Sequence, residues 1–219
     1  QRTGPGELLL YPEFESSKHK GQNGKLGIVG GGPYSGAPAL AALGAYRAGI
    51  DLVHVFVPAS SYEYVSSFIP ELIVHKLPGK IVTEEHLEFI LGQTSEFDAM
   101  VVGPGIGKQE QTQKAIVELA KNCNNIVLDA DAIFDFNFKH PNILLTPHQG
   151  ELKRLTSSSR SEDLLKYASE KGVTLLVKGE VDIITDGEFI KMNSSGHPRM
   201  AVGGTGDVLA GVCGALMAK

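Results

Sequence analysis

The stretch KLGIVGGGPYSGAPALAALGAYRAGIDLVHVFV, residues 25–57, contains two apolar segments separated by a glycine-rich loop and a helical segment. Residues 25–30 form a short apolar run that leads into three consecutive glycines, which is typical of a buried strand followed by a tight turn. Residues 37–48 are rich in Ala and Leu, with Arg47 as their only charge, and a helix that is apolar nearly all round is a buried helix. Residues 52–57 are again apolar. The stretch therefore predicts a parallel β-α-β unit.

The same alternation continues through most of the chain. Further apolar strands are predicted at 99–102, 126–129, 143–146 and 174–177, with helices at 84–92, 109–122, 161–171 and from Val208 onward. Short apolar strands that alternate with helices indicate a mostly parallel sheet with helices on both faces. The predicted fold class is therefore α/β.

Three segments lie outside this alternation. Residues 183–185 and 188–191 flank Asp186-Gly187, a dipeptide that favours a tight hairpin turn, so we expect an antiparallel hairpin at or near the edge of the sheet. The first 24 residues are polar and rich in Gly and Pro, which predicts an extended arm. The chain lacks a starting Met and stops at Lys219 inside an apolar helical run, so we expect a fragment shortened at its C-terminus.

The composition excludes several classes of protein. Hydrophobic residues make up 42% and charged residues 21% of the 219 residues, which is typical of a globular chain and not of a disordered one. No internal repeat or change of composition divides the chain, so a single domain over residues 1–219 is expected. Acidic side chains outnumber basic ones by 25 to 20, whereas a nucleic-acid binder usually carries a basic excess, so no nucleic-acid partner is expected.

Membrane and disulfide-stabilised classes are also unsupported. No apolar run approaches the roughly 20 residues of a membrane-spanning helix, so no membrane partner is expected. Cys123 and Cys213 are far apart in the sequence and belong to no CxxC motif or Cys/His cluster. This arrangement excludes a disulfide scaffold and a structural zinc site, and it favours a reducing, cytoplasmic location.

Most polar and glycine-rich features follow directly after a predicted strand. In chain order they occupy residues 30–32, 103–105, 129–131, 146–151 and 178–179. Open α/β sheets bind their ligands beyond the carboxyl ends of the strands. The sequence therefore predicts one ligand site at this edge of the sheet.

The first two glycine loops identify no ligand by themselves. Residues 103–107 are explained at least as well by a sharp turn from a strand into a helix. No Gly-Lys-Ser/Thr follows either loop, so neither is a Walker A loop, and Gly30, Gly32 and Gly36 miss the GxGxxG spacing by one residue. A dinucleotide-binding Rossmann site is therefore poorly supported.

The run Gly203-Gly-Thr-Gly-Asp207 is more specific. Glycines ahead of a helix allow backbone N–H groups to converge on an anion, assisted by the positive end of the helix. The alternative is that Thr205 or Asp207 only caps the helix, but a cap does not need three glycines around it. A carboxylate repels a bound phosphate, so its presence in such a site indicates a catalytic role. The role that fits is that of a general base, which removes the proton from an attacking hydroxyl. The run therefore predicts Asp207 as the catalytic residue.

Other polar residues at this edge allow structural interpretations as well. Asp129 and Asp131 could form an acid pair or bind a metal, but an ordinary N-cap at the next helix is favoured. No residue is assigned as a metal ligand. His148 in its loop is either a ligand contact or a solvated histidine. Lys178 either contacts a phosphate or extends from the strand end into solvent.

Taken together, these segments resemble the ADP- or ATP-dependent NAD(P)H-hydrate dehydratases, a repair family on the ribokinase-like fold. The matching segments follow the family's order: residues 19–21, 30–32, 35–37, 102–107, 127–132, 145–151, 177–179 and 201–211. The Gly-Thr-Gly-Asp run is shared with other ribokinase-like kinases, whereas Thr-Pro-His-x-Gly-Glu together with Asp-Ala-Asp-Ala is much narrower. Gln149 stands where the family often has Pro, and the family's C-terminal helices lie beyond Lys219.

The resemblance implies a three-layer sandwich whose mostly parallel central sheet has an antiparallel hairpin at its edge. It also implies that ADP or ATP, with Mg²⁺, phosphorylates the ring hydroxyl of hydrated NADH or NADPH, after which elimination of phosphate restores the double bond. Asp207 would be the catalytic base and would also contact the substrate. Ala37, Gly105 and His148 would contact the substrate without a catalytic role. The residues implied to hold the nucleotide are Lys178, Gly179, Glu180, Val181, Asp182, Gly203, Gly204, Thr205 and Gly206. A homo-oligomer, with a tetramer as the candidate, is expected as well.

Two other functions remain open on the sequence. A ribokinase-like kinase for a small alcohol, of the thiazole or hydroxymethylpyrimidine type, would share the glycine run, and only the substrate-side loop at 146–151 favours the dehydratase. A catalytically silent nucleotide-binding module is the second alternative, which Asp207 argues against. Sequence does not distinguish ADP from ATP, although ADP is the expected phosphoryl donor.

Overall fold

A computed structural model of the chain describes residues 2–11, 17 and 19–219. Within them, the strands form one sheet. The strands are β1 (Lys25–Val29), β2 (Leu52–Pro58), β3 (Ile73–Leu77), β4 (Ala99–Val102), β5 (Ile126–Leu128), β6 (Ile143–Leu145), β7 (Thr174–Val177), β8 (Asp182–Thr185) and β9 (Ile190–Asn193). The helices are α1 (Ala37–Arg47), α2 (Ala59–Ser66), α3 (Leu87–Thr94), α4 (Glu110–Asn122), α5 (Gln149–Leu152), α6 (Ser161–Lys171) and α7 (Thr205–Met217).

The strand order is β3-β2-β1-β4-β5-β6-β7-β8-β9. All pairs from β3 to β7 are parallel, whereas β8 and β9 are antiparallel to their neighbours. The chain leaves β3 at one edge and returns on the other side of β1 as β4, so the direction of winding reverses between β1 and β4. Such a switch point opens a crevice at the carboxyl ends of the strands. The α/β sandwich with an antiparallel hairpin at its edge is confirmed.

The two faces of the sheet bury separate sets of helices, because successive side chains of a strand point in opposite directions. On one face, Leu26 and Ile28 of β1 belong to a cluster with the alanines of α1 and with Ala210 of α7. On the other face, Val29 belongs to a cluster with apolar residues of α3, α4 and α6. Within the described residues, no helix is long and apolar enough to cross a membrane.

Helices α1 and α7 pack with their backbones almost in contact. A Cβ atom at Gly44 would collide with the carbonyl oxygen of Val208, and one at Gly211 would collide with that of Ala41. Only glycine allows this approach. Because of it, the N-terminus of α7 lies beside the N-terminus of α1, and both open onto the edge of the sheet where the strands end.

The structure differs from the predicted elements near the second strand. Helix α2 and strand β3 were not predicted. Residues 59–66 are mostly Ser and Tyr with few apolar positions, and β3 is a partly exposed edge strand that carries His75 and Lys76. Neither segment has the apolar signal by which the buried strands were recognised.

The hairpin and the N-terminal arm also differ from expectation. The predicted two-residue turn is wrong, because Thr185 pairs with Ile190, so the loop spans residues 186–189. The Asp186 carboxylate accepts the backbone N–H groups of Glu188 and Phe189, which stabilises this longer loop. The extended arm is only partly observed, since Pro5–Leu10 forms a 3₁₀ helix. Residues 1, 12–16 and 18 of the predicted arm lie outside the described residues.

Candidate active site

Three neighbouring parallel strands each deliver a polar residue to the same point just beyond their carboxyl ends. Asp129 follows β5, Thr146 follows β6, and Lys178 follows β7. One carboxylate oxygen of Asp129, Oδ1, accepts the Thr146 hydroxyl at 2.7 Å and lies 2.8 Å from Lys178 Nζ. Asp129 and Thr146 are buried, while the Lys178 side chain keeps 19% of its surface exposed. This buried ion pair forms the floor of the site.

Asp129 is therefore not the helix cap that the sequence favoured. It does precede the 3₁₀ turn Ala130–Ala132, but its side chain makes no capping hydrogen bond there and pairs with Lys178 instead. Asp131 lies beyond the strand, in that 3₁₀ turn, where it pairs with Arg154 and Lys108 instead of joining Asp129. The available signal was the position of Asp129, which follows its strand at the same edge as Lys178.

Helix α7 begins directly above this floor. Gly204 is its N-cap residue, with φ +89, a left-handed conformation that other residues rarely adopt. The Thr205 hydroxyl points back to the carbonyl oxygens of Met200 and Val202, so it does not cap the helix. A Cβ atom at Gly206 would lie 3.4 Å from Lys178 Nζ, which places the ammonium group beneath the first turn. The glycine turn and Lys178 are thus brought together, as the sequence predicted.

Asp207 occupies the third position of α7 and is half-buried. Burial, and next the negative charge of Asp129, raise the pKa of the Asp207 carboxyl to about 6, although the Lys178 charge opposes this. A carboxylate with a pKa close to neutral is a better proton acceptor than an ordinary surface aspartate, and it is still ionised at neutral pH. The arrangement is chemically suited to a general base.

His148 is the N-cap of the short helix α5. Its Nδ1 accepts the backbone N–H groups of Gly150 and Glu151, at 2.9 and 3.1 Å, and its Nε2 lies 3.3 Å from Glu151 Oε1. The backbone N–H of His148 donates to the Glu151 carboxylate in return. Burial raises the pKa of Glu151, whose charge also interacts with that of Lys178. His148 thus has a structural role that the sequence did not reveal, and 58% of its side-chain surface remains exposed.

Ala37 and Gly105 lie together on the neighbouring side, at the switch point. A Cβ atom at Gly105 would lie 3.2 Å from the Ala37 Cβ and would collide with the carbonyl oxygen of Tyr34. A Cβ atom at Gly204 would collide with the Leu40 side chain of α1, so this side is continuous with the start of α7. Two of the candidate substrate contacts, Ala37 and Gly105, therefore lie on the side of the site that adjoins the glycine turn.

The loop between β7 and β8 contains the remaining predicted nucleotide contacts. The Asp182 carboxylate accepts the Gly179 backbone N–H at 3.1 Å and the Asn193 side-chain amide at 3.0 Å. Asp182 therefore stabilises this loop and its attachment to the hairpin. Glu180 and Val181 are exposed at its tip, where their role toward a nucleotide stays a prediction.

The fold and this site place the chain in the class of ribokinase-like α/β proteins. A ribokinase-like superfamily protein of Enterococcus faecalis superposes with a TM-score of 0.81 at 23% identity, over 94% of this chain and 75% of that one. The ADP/ATP-dependent NAD(P)H-hydrate dehydratase of Bacillus subtilis, crystallised with ATP and Mg²⁺, gives 0.78 at 24% identity, over 94% and 80%. These two likenesses establish the fold.

Sequence comparison establishes the family. Residues 26–219 match the family model for NAD(P)H-hydrate dehydratase. The bifunctional NAD(P)H-hydrate repair enzyme of Archaeoglobus fulgidus is 40% identical over 98% of this chain, which corresponds to 46% of that protein. The ATP-dependent (S)-NAD(P)H-hydrate dehydratase of Vitis vinifera is 34% identical over 92% of this chain and 66% of its own length. The chain belongs to the NAD(P)H-hydrate dehydratase family, and it spans about half the length of the bifunctional relatives.

Proposed function

We propose that this chain carries out the nucleotide-dependent dehydration of hydrated NADH or NADPH. The observation that carries the proposal is the position of Asp207, a carboxyl with a pKa near 6 in the first turn of a helix that begins with a glycine turn. The backbone N–H groups of such a turn suit a phosphate, and Lys178 lies directly beneath it. A base beside a phosphate site is the arrangement that transfer of phosphate to an alcohol requires.

In the proposed reaction, Asp207 removes the proton from the ring hydroxyl of the hydrated dinucleotide. The hydroxyl oxygen forms a bond to the terminal phosphorus of the nucleotide, and the bond to the leaving ADP (from ATP) or AMP (from ADP) breaks. The glycine turn at 203–206 and Lys178 stabilise the charge on the phosphate in transfer. Loss of phosphate from the ring carbon, with a proton from the adjacent carbon, then restores the double bond.

The residues that would hold the substrate are Ala37, Gly105 and His148. Ala37 and Gly105 lie side by side at the switch point, and because the Tyr34 carbonyl fills the space beside Gly105, the contact from Gly105 would come from its backbone. His148 is oriented by its cap hydrogen bonds, so that its exposed edge can contact the substrate without a loss of rotational freedom. The nucleotide would lie across Lys178, Gly179, Glu180, Val181 and Asp182, with its phosphates at the glycine turn.

Mg²⁺ would reach this site on the phosphates of the nucleotide. Among the described residues, no group of three or more His, Cys, Asp or Glu side chains is arranged to hold a metal ion, and the Asp129 carboxylate is already paired with Lys178. Mg²⁺ commonly keeps several waters and binds through substrate phosphates. A resident metal centre is therefore not part of the proposal.

We also propose a homo-oligomer in the cytoplasm, with a tetramer as the candidate. Leu8, Leu9 and Leu10 are exposed by 73%, 89% and 79%, and apolar surface of this kind is commonly covered by a partner. Both cysteines are buried and unpaired, which is compatible with a reducing compartment. Light scattering of the purified chain measures the assembly directly.

The decisive experiment is a turnover assay on hydrated NADH and hydrated NADPH, with ADP and ATP in parallel. Recovery of absorbance at 340 nm that depends on nucleotide and is lost in Asp207→Asn supports the proposal. An Asp163→Asn variant, which changes a partly exposed aspartate outside the site at the start of α6, should behave as the wild type. Phosphorylation of a thiazole or hydroxymethylpyrimidine alcohol without dehydration would favour the kinase, and nucleotide binding without turnover would favour a silent binding module.

A further inference from the structure

The buried carboxylate of Asp129 has no part in the proposed chemistry, yet it makes the shortest contacts in the floor of the site. Its Oδ1 receives both the Thr146 hydroxyl and the Lys178 ammonium group. Backbone hydrogen bonds fix all three residues, since each of their N–H groups donates to a neighbouring segment: Asp129 to Val102, Thr146 to Leu128, and Lys178 to Pro147. The carboxylate therefore has little freedom to move.

This contact restricts the position of the Lys178 ammonium group. A lysine side chain has a flexible stem of four carbons and usually samples many positions. Its ammonium group has three hydrogen-bond donors. One donor is directed to Asp129 at 2.8 Å, which holds Nζ beneath Gly206. The other two donors stay available for an anion at the glycine turn.

The charge of Asp129 also acts on the base. Asp207 lies among three charged groups, namely Asp129, Lys178 and Glu151. Without Asp129, the positive charge of Lys178 would be uncompensated. Asp207 would then bind its proton less tightly, because a nearby positive charge favours the ionised carboxylate. With Asp129 in place, the two charges largely cancel, so that burial determines the properties of the Asp207 carboxyl.

We propose that Asp129 is a positioning residue, which holds the Lys178 ammonium group beneath the first turn of α7 and offsets its charge next to Asp207. In this role Asp129 acts through Lys178 and through the proton affinity of Asp207. The kinetic part of this inference rests on the proposed function, whereas its electrostatic part concerns only the folded chain.

The electrostatic part is tested by carboxyl ¹³C NMR titration of Asp207 in the full chain, without substrate or nucleotide. In Asp129→Asn, which keeps the size of the side chain, the midpoint of Asp207 should move to lower pH by about one pH unit, a common effect of a neighbouring charge. Asp135→Asn is the matched control, because it removes an Asp–Lys contact of 2.7 Å with Lys171 outside the site. It should leave the Asp207 midpoint unchanged.

The positional part is tested with Thr146→Val, which keeps the charge of Asp129 but removes the hydroxyl that orients it. The Asp207 midpoint should stay, while calorimetry should detect a several-fold weaker binding of ADP, because Lys178 is held less firmly. The same variant decides the question if Asp129→Asn does not fold, and near-UV circular dichroism reports whether each variant is folded.

Kinetics then separate the two proposals. In Asp129→Asn the acid limb of the pH–rate profile should move with the Asp207 midpoint, which a purely structural role would not cause. If the wild type has no turnover with either nucleotide, the proposed function fails while the titration still decides the role of Asp129. An unchanged Asp207 midpoint in folded Asp129→Asn, or unchanged ADP affinity in Thr146→Val, overturns the inference.

Discussion

His148 and Glu151 cap helix α5 reciprocally: the His148 ring accepts the Glu151 backbone N–H, and the Glu151 carboxylate accepts that of His148. The His148→Ala variant consequently loses two things, a candidate substrate contact and a helix cap. We expect a higher KM for hydrated dinucleotide, little change in nucleotide affinity, and a loss of stability of about 1 kcal/mol. Steady-state kinetics and urea denaturation measure these effects.

The matched control for this variant is His148→Asn, because asparagine is also a good N-cap residue. It should keep the stability of the wild type while its KM rises as in His148→Ala. Wild-type kinetics in both variants, with reduced stability in the alanine variant alone, would assign His148 a purely structural role.

Lys178→Met should weaken ADP binding, and the structure adds a second consequence. The sequence suggested a solvent-reachable lysine whose removal leaves the fold intact, but Lys178 is paired with a buried aspartate. Removing one partner of a buried pair leaves an uncompensated charge, so we expect a loss of about 3–5 kcal/mol in the free energy of unfolding. Urea denaturation measures it, and isothermal calorimetry measures ADP binding.

The double variant Lys178→Met with Asp129→Asn tests whether the uncompensated charge of Asp129 causes the loss of stability. It removes both charges, so it should recover a substantial part of the lost stability without recovering ADP binding. Full recovery of both properties would mean that Lys178 does not contact the phosphate.

The sequence predicted those parts of the fold that depend on strongly apolar segments. Strands such as β1 and β4 were recognised because both of their faces are buried, and the alignment of their ends then predicted the edge at which Lys178 and Asp207 meet. Strand β3 was missed because an edge strand carries a mixed pattern. Helix α2 was missed because it has no apolar stripe, since it buries only Ser61 and Val65.

The interior of the site was less accessible to prediction from sequence. The Asp129–Lys178 pair joins residues 49 positions apart, and nothing local distinguishes it from a helix cap followed by an unrelated lysine. The hairpin loop was predicted two residues too short because Asp186-Gly187 favours a tight turn, whereas the Asp186 side chain stabilises a longer one. Pairings and side-chain contacts of this kind become visible only after the strands are arranged.

A pH-dependent stability is expected from two histidines on neighbouring strands. His54 Nδ1 lies 3.0 Å from His75 Nε2, and the His75 ring stacks on Phe56. Burial lowers the pKa of both histidines; Lys25 also lowers that of His54, Glu96 opposes this, and His54 lowers that of His75. The contribution of neutral histidines to stability is therefore complete above the unfolded pKa of 6.5 and is lost as the pH falls through the lowered values.

The His75→Gln variant should reduce this dependence, because glutamine keeps a polar group but does not titrate. We expect a smaller decrease of the unfolding free energy between pH 7 and 5 than in the wild type, measured by urea denaturation at several pH values. His140→Gln, which changes a histidine outside this pair, should retain the wild-type slope. The same slope in all three proteins would contradict the prediction.

Asp207→Asn tests the mechanism through two independent measurements. As the general base, Asp207 must be ionised, so the wild-type rate should fall as the pH decreases through about 6. The variant should lose about 10²–10⁴ in kcat, with ADP affinity preserved or slightly improved because a negative charge near phosphate is removed. A folded variant that retains most of its kcat would mean that the carboxylate is not the base.

Stability should change in the opposite direction to activity. The pKa of the carboxyl is raised from 3.8 to about 6 in the folded state, so the folded chain binds the proton more tightly than the unfolded chain. The stabilisation is complete below pH 3.8 and is lost as the pH rises through 6, and the ionised group then costs free energy. Because Asp207 is partly exposed and screened, we expect Asp207→Asn to be more stable than the wild type by about 1 kcal/mol at pH 7.5. At acidic pH, where both side chains are neutral, the difference should disappear, and urea denaturation at the two pH values measures it.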